Sequence, residues 1–133
     1  MSAFRDSAHL RDVIGGFFRQ EAAVDDHMFA GSGVIIAYKL REPDVRFVLD
    51  ASVKPAPGRA FEIYLDDPQA PEAQVEISMD ADTFDQLYRG QVQAMALMMT
   101  GKAKAKGDIT IAMRMLPAMA RVIPHYKTYR ETH

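Results

Sequence analysis

The sequence predicts an α/β fold of the α+β kind, in which an antiparallel sheet is covered on one face by helices. Three observations carry that expectation. Four stretches between Gly33 and Asp80 alternate with a period of two. Each leaves one apolar face and one charged face, as strands do in a sheet covered on one side and wet on the other. The residues around Leu10 and around Ala112 instead place apolar side chains at helical spacing. Finally, Lys102 to Lys106 alternates strictly between lysine and alanine, which adds a further strand.

A chain of 133 residues, 48% hydrophobic and 26% charged, can bury one substantial core, so a single domain over residues 1–133 is expected. No apolar run approaches the roughly 18 to 20 residues that span a bilayer, and no leader pattern precedes the fold, so a cytoplasmic location is expected. Without cysteine there is no disulfide, thiol nucleophile or thiolate metal site. A formal net charge of -2 gives no global attraction to phosphate polymers, so no nucleic-acid partner is expected.

In chain order, Ser7 to about His27 reads as a helix. Leu10, Val13, Ile14, Phe17 and Phe18 fall on one face, with Asp6 or Ser7 as N-cap. Gly15 and Gly16 each cost about 1 kcal/mol in a helix interior, so tertiary packing must hold them. Val34, Ile36, Tyr38 and Leu40 then form the inner face of a strand. Across a turn at Glu42-Pro43-Asp44, Val45, Phe47, Leu49 and Ala51 form the inner face of its hairpin partner. Phe61, Ile63 and Leu65 mark a third strand, and Val75, Ile77 and Met79 a fourth. All the helices therefore belong on one side.

Asp80, Asp82 and Thr83 follow as cap residues, and Gln86, three after Thr83, completes a capping-box pattern. Gly90 suits the position just past that helix, and Gly101 closes a second short helix beginning near Val92. Lys102, Lys104 and Lys106 then point to the wet face of the sheet, and Ala103 and Ala105 point to the helices. Asp108 caps a helix whose buried stripe is Ile109, Ala112, Met113, Leu116, Met119 and Ile123. Pro117 kinks or divides this helix, Pro124 ends it, and residues 124–133 form a loosely held tail.

No catalytic constellation emerges. His9, His27, His125 and His133 lack the spacing that aims two imidazoles from one helix at a metal, so no metal site and no cofactor are expected. Asp25-Asp26 and Asp66-Asp67 are adjacent acids flanking loops, where solvation is their ordinary role. Gly31-Ser32-Gly33 precedes a strand rather than following one, so it is not a phosphate loop. What stands out is methionine: seven of nine lie from Met79 onward, giving the helical layer polarizable side chains that fit irregular shapes. Facing them, Ala103 and Ala105 offer only methyl groups. The volume so left is filled either by larger side chains or by an apolar ligand. The lysine triplet reads as protection of a sheet edge or as a contact for anionic head groups.

Several segments together resemble one family. They are Ile77-Ser78-Met79-Asp80-Ala81-Asp82-Thr83-Phe84, Leu87-Tyr88-Arg89-Gly90, the stretch Met99-Thr100-Gly101-Lys102-Ala103-Lys104-Ala105-Lys106-Gly107-Asp108, and Ile111-Ala112-Met113-Arg114-Met115-Leu116. In order and content, over about residues 33 to 116, they resemble the sterol carrier protein type 2 (sterol-binding domain) family. The resemblance implies a five-stranded, mostly antiparallel sheet covered by helices. It implies an apolar tunnel for fatty acid, fatty acyl-CoA, sterol or similar lipid, with no catalysis. By position, Phe84, Leu87, Met95, Met98, Met99, Met113 and Leu116 would line that tunnel beside Ala103 and Ala105, and Lys102, Lys104 and Lys106 would meet a transient anionic membrane surface. The rival expectation is an accessory module for a lipid- or quinone-processing enzyme, with no ligand of its own. The sequence leaves the oligomeric state open.

Overall fold

The computed structural model describes residues 2–24, 29–54 and 56–133. Its elements run α1 (Ser7–Ala22), β1 (Ile35–Arg41), β2 (Val45–Asp50), β3 (Glu62–Leu65), β4 (Val75–Asp80), α2 (Ala81–Tyr88), α3 (Ala94–Thr100), β5 (Lys104–Gly107), α4 (Ile109–Arg114) and α5 (Leu116–Arg130). The sheet has the order β3-β2-β1-β4-β5. Only the β1–β4 pair is parallel, with Tyr38 beside Ile77 and Leu40 beside Met79; the other three pairs are antiparallel. The expected five-stranded, mostly antiparallel α+β architecture is therefore present.

The period-two pattern places side chains where a pleated strand must. Val34, Ile36, Tyr38 and Leu40 are buried on the helix side, as are Val45, Phe47, Leu49 and Ala51. The opposite face is less wet than its charges suggest. Ala37 and Val48, paired across β1 and β2, are fully buried on it. A surface groove lined by Arg46, Val48 and Tyr64 with Asp66, Asp67, Pro68 and Ala70 brings the β3–β4 connection against this side.

The glycines of α1 are explained by packing. A Cβ on Gly15 would lie 2.8 Å from Leu65 Cδ1, and one on Gly16 would collide with the Tyr129 hydroxyl. The helix is thus held against β3 and α5, and the packing offsets its propensity cost. It stops at Ala22, earlier than the periodicity suggests; Asp25, Asp26 and His27 lie outside the described residues. Asp6 is the N-cap, accepting from the His9 N–H at 2.8 Å.

Two local expectations are corrected. The second helix begins at Ala81, which places Thr83 in its third position rather than at a cap. Asp80 is the N-cap residue but makes no capping hydrogen bond; its carboxylate pairs with Arg41 at 3.2 Å. The end of α2 follows the Schellman pattern: Gly90, at φ 75°, donates to Leu87 O, and Gln91 donates to Gln86 O. The second correction is larger. Residues 124–133 are not a loose tail, because α5 runs through Pro124 to Arg130. Pro117 stands in its first turn, where a missing N–H costs little. Pro124 does remove one interior N–H, but Ala118, Val122 and Tyr126 give α5 a buried face that holds the helix beyond it. That face supplies the fully buried residues, while of the stripe from Ile109 to Ile123 only Ala112 and Met119 pack against the core, partly buried. Ile109 and Met113 are half exposed, and Ala112, Leu116, Met119 and Ile123 are partly buried.

Candidate functional site

Between the inner face of the sheet and the helices lies an apolar cavity of about 70 Å³. Its floor is Ile36 and Tyr38 from β1, Ile77 and Met79 from β4, and Ala103 and Ala105 beside them. Phe18, Phe29, Leu87, Tyr88 and Val122 form the back wall. The roof is methionine-rich: Ala94, Met95, Leu97 and Met98 of α3, Ile109, Ala112 and Met113 of α4, then Met115, Leu116 and Met119. No charged residue contributes to this lining.

The glycine punctuation sets the roof in place. Gly101, at φ 76°, ends α3 in the left-handed region, and Ala103 then donates to Leu97 O at 3.1 Å, turning the chain down to the sheet. At the far end of β5, a Cβ on Gly107 would stand 2.5 Å from Gln74 O, so only glycine permits this approach. Asp108 donates its N–H to the same carbonyl at 2.8 Å, and its side chain accepts from Thr110 N at 3.0 Å to start α4.

Of the residues singled out from sequence, Leu87, Met95, Met98, Ala103, Ala105, Met113 and Leu116 stand around this cavity. Two do not. Phe84 is fully buried behind the wall, stacked on Tyr88 with ring centroids 4.3 Å apart, and Met99 points outward with 83% of its surface exposed. Lys102, Lys104 and Lys106 are exposed, the last two on the edge strand β5. Sequence reasoning missed the floor residues of β1 and β4 and the aromatic wall, although that part of the floor was legible as the inner face of the two strands.

Floor and wall meet in a pair of hydroxyls. Tyr38 and Tyr88 share a buried hydrogen bond of 2.8 Å between their Oη atoms. Burial raises both above the ordinary value of 10.0, and the neighbouring Tyr38 raises Tyr88 further. Both rings therefore stay neutral in the physiological range.

Behind this wall is a polar cluster that joins α2 to α5. The buried Asp85 carboxylate accepts from Arg89 Nε at 2.7 Å and from the Tyr126 hydroxyl at 2.7 Å, and Arg130 Nε lies 3.6 Å away. Arg130 also donates to Ala3 O at 2.8 Å and covers the Phe4 ring at 4.6 Å. This cluster ties both chain ends to α2. The described histidines serve similar ends: His125 Nδ1 pairs with buried Glu21 at 2.8 Å, and His9 accepts from Arg5 N. The acid pair is structural as well. Asp66 accepts from Arg46 N at 2.9 Å, and Asp67 accepts from Gln69 N at 2.9 Å. Among the described residues, no three His, Asp or Glu side chains converge as a metal site.

A model of the SCP-2 sterol transfer family matches residues 15–119. Sterol carrier protein 2 from Yarrowia lipolytica, solved in its apo form, superposes with a TM-score of 0.62 at 20% identity, covering 92% of this chain and 94% of that one. A palmitated SCP2L2 from Aedes aegypti gives 0.61 at 10% identity, over 82% and 92%. A ubiquinone synthesis protein, UbiJ-SCP2, gives 0.58 at 14% identity, over 83% and 94%. No curated protein sequence matches the chain.

Proposed function

Because the chain belongs to the SCP-2 sterol transfer family, we propose that it binds a lipid without catalysis in the cavity under α3 and α4, and passes it to or from a membrane. The observation that carries this reading is the apolar cavity itself, closed by methionines on one side and by alanine methyls on the other. Burial of each CH₂ is worth about 0.8 kcal/mol, so a dozen-carbon tail gains roughly 10 kcal/mol before the cost of opening the roof. Size supports a roof that opens: an apolar cavity of about 150 Å³ takes up a molecule as small as benzene, and this one measures about 70 Å³.

The roof is suited to that movement. Leu97 is the sole fully buried residue of α3, and α4 has none, so little apolar contact is lost when either is displaced. Fatty acid, fatty acyl-CoA and sterol all fit an apolar space that adapts to shape. Exposed Met95, Met99, Ile109 and Met113 surround the roof. With Lys102, Lys104 and Lys106 they supply apolar and cationic contacts for an anionic bilayer, each lysine worth about 1 kcal/mol near such a surface. No helix among the described residues is long and apolar enough to cross a membrane, so this contact is peripheral. A cytoplasmic site of action accords with such a role.

A second reading is supported by the small cavity and by the likeness to a ubiquinone synthesis protein. In it the side chains fill the space, and the chain serves as an accessory module for a lipid- or quinone-processing enzyme. Native mass spectrometry with solvent extraction of the purified protein separates the two. Co-purifying lipid, or saturable uptake of a fluorescent fatty acid, is expected. Absence of both would leave the accessory role.

A further inference from the structure

We propose that the Tyr38–Tyr88 hydroxyl pair is a polar anchor in the cavity wall, which selects lipids whose buried end carries an uncharged oxygen such as a ketone, ester or alcohol. The inference rests on the lipid-binding reading above and deepens it by naming the ligand chemistry.

Two phenols carry two O–H donors, and the bond between their oxygens uses one. Neither hydroxyl has another hydrogen-bond partner among the described residues, so one donor is left over. Both residues are more than nine-tenths buried, at 6% and 4% exposure, and both line the cavity. A buried donor without an acceptor is costly, and the cavity is where its acceptor can enter.

The surrounding rings fix where this donor sits, and its O–H turns about the C–O bond to meet an acceptor. Tyr38 stacks on Phe47 with centroids 4.9 Å apart, and Tyr88 stacks on Phe84 at 4.3 Å. Neither ring can swing to a new partner without disturbing the core. An oxygen arriving at the wall therefore meets a preorganised donor.

Charge decides which oxygen. No lysine, arginine or histidine lines the cavity, so an ionised carboxylate placed against the tyrosines would be desolvated without a counter-ion. A neutral carbonyl or hydroxyl loses far less on entry and accepts the same hydrogen bond. A fatty acid can still bind with its tail inward and its carboxylate at the mouth. It then leaves the anchor unused.

The test compares two probes of equal carbon number, hexadecane and 2-hexadecanone, on the wild-type chain and on the double variant Tyr38→Phe with Tyr88→Phe. Both hydroxyls are removed together because either one alone could still donate to the ligand. Replacing both partners by isosteric apolar groups is nearly neutral for stability, which thermal unfolding checks. In the double variant the ketone-to-alkane affinity ratio should fall about fivefold, equivalent to about 1 kcal/mol. The carbonyl stretching band of bound 2-hexadecanone should be lowered in frequency in the wild type and return to its hydrocarbon-solvent position in the variant. An unchanged ratio, or a band at the hydrocarbon position in the wild type, overturns the anchor while leaving lipid binding intact. Failure of the wild type to bind either probe overturns both.

Discussion

The molecule has two regions built on opposite principles. On one side, α1, α2 and α5 interlock through aromatic rings: Phe17 meets Tyr126 edge-on at 5.1 Å, and Phe18 packs against Phe47 at 5.5 Å. The Asp85 cluster adds hydrogen bonds within this region. On the other side, α3, β5 and α4 present methionines and alanines, and all their apolar residues except Leu97 are partly buried or exposed. Aromatic rings with two rotatable bonds, packed against one another in fixed geometry, specify one arrangement. Unbranched methionines over small alanines permit several. The difference teaches where the fold can yield: one region holds the shape, and the other is where the proposed ligand would enter.

Substitutions that break this contrast should do so unequally. The largest effect is expected from truncation in the aromatic region. Phe84→Ala should cost about 3–5 kcal/mol in urea unfolding, whereas Met98→Ala, in the roof, should cost less than 2 kcal/mol. Equal losses would erase the distinction between the regions. Next comes pH. Burial raises the hydroxyls of Tyr38, Tyr88 and Tyr126 above the ordinary value of 10.0, and the Asp85 charge raises Tyr126 further. The folded state therefore holds protons that the unfolded chain releases. The stability this represents is complete below pH 10 and is lost as pH rises beyond it, at about 4 kcal/mol per unit if all three rings stay neutral in the fold. Alkaline unfolding curves followed by circular dichroism read the slope, and stability unchanged between pH 10 and 11 would contradict the assigned burial.

Smaller effects fall on the roof and its rim. Ala105→Phe fills the floor of the cavity. It should abolish uptake of a fluorescent fatty acid while leaving the unfolding midpoint within a few degrees of wild type, and undiminished uptake would place the ligand elsewhere. Replacing Lys102, Lys104 and Lys106 together by glutamine should slow transfer to anionic vesicles severalfold with little change in affinity. An unaltered transfer rate would return these residues to protection of the edge strand.

Most of this architecture could be read from residue order, for physical reasons that differ by element. The strands were legible because a pleat alternates its side chains whatever the fold around it. Gly90, Gly101 and Asp108 were legible because a helix end needs a left-handed residue or a side-chain acceptor. The parallel pairing of β1 with β4 was not, since neither strand carries a local mark of its neighbour. The extent of α5 was hidden by Pro124, although Ala118, Val122 and Tyr126, each four residues apart, were the available signal. Met99 was misplaced because a helix of seven residues is too short for its period to fix which flank faces inward. The Tyr38–Tyr88 bond joins residues 50 positions apart, which only folding brings together.

The central claim is that the roof of α3 and α4 opens to take in lipid while the aromatic region stays closed. Amide hydrogen exchange on the purified chain, with and without a saturating long-chain lipid, tests it most directly. The account predicts that amides of α3 and α4 exchange faster than those of α1, α2 and α5 in the free protein and slow markedly when lipid is added, with the aromatic region unchanged. Roof amides as protected as the core in the free protein, or indifferent to lipid, would contradict it.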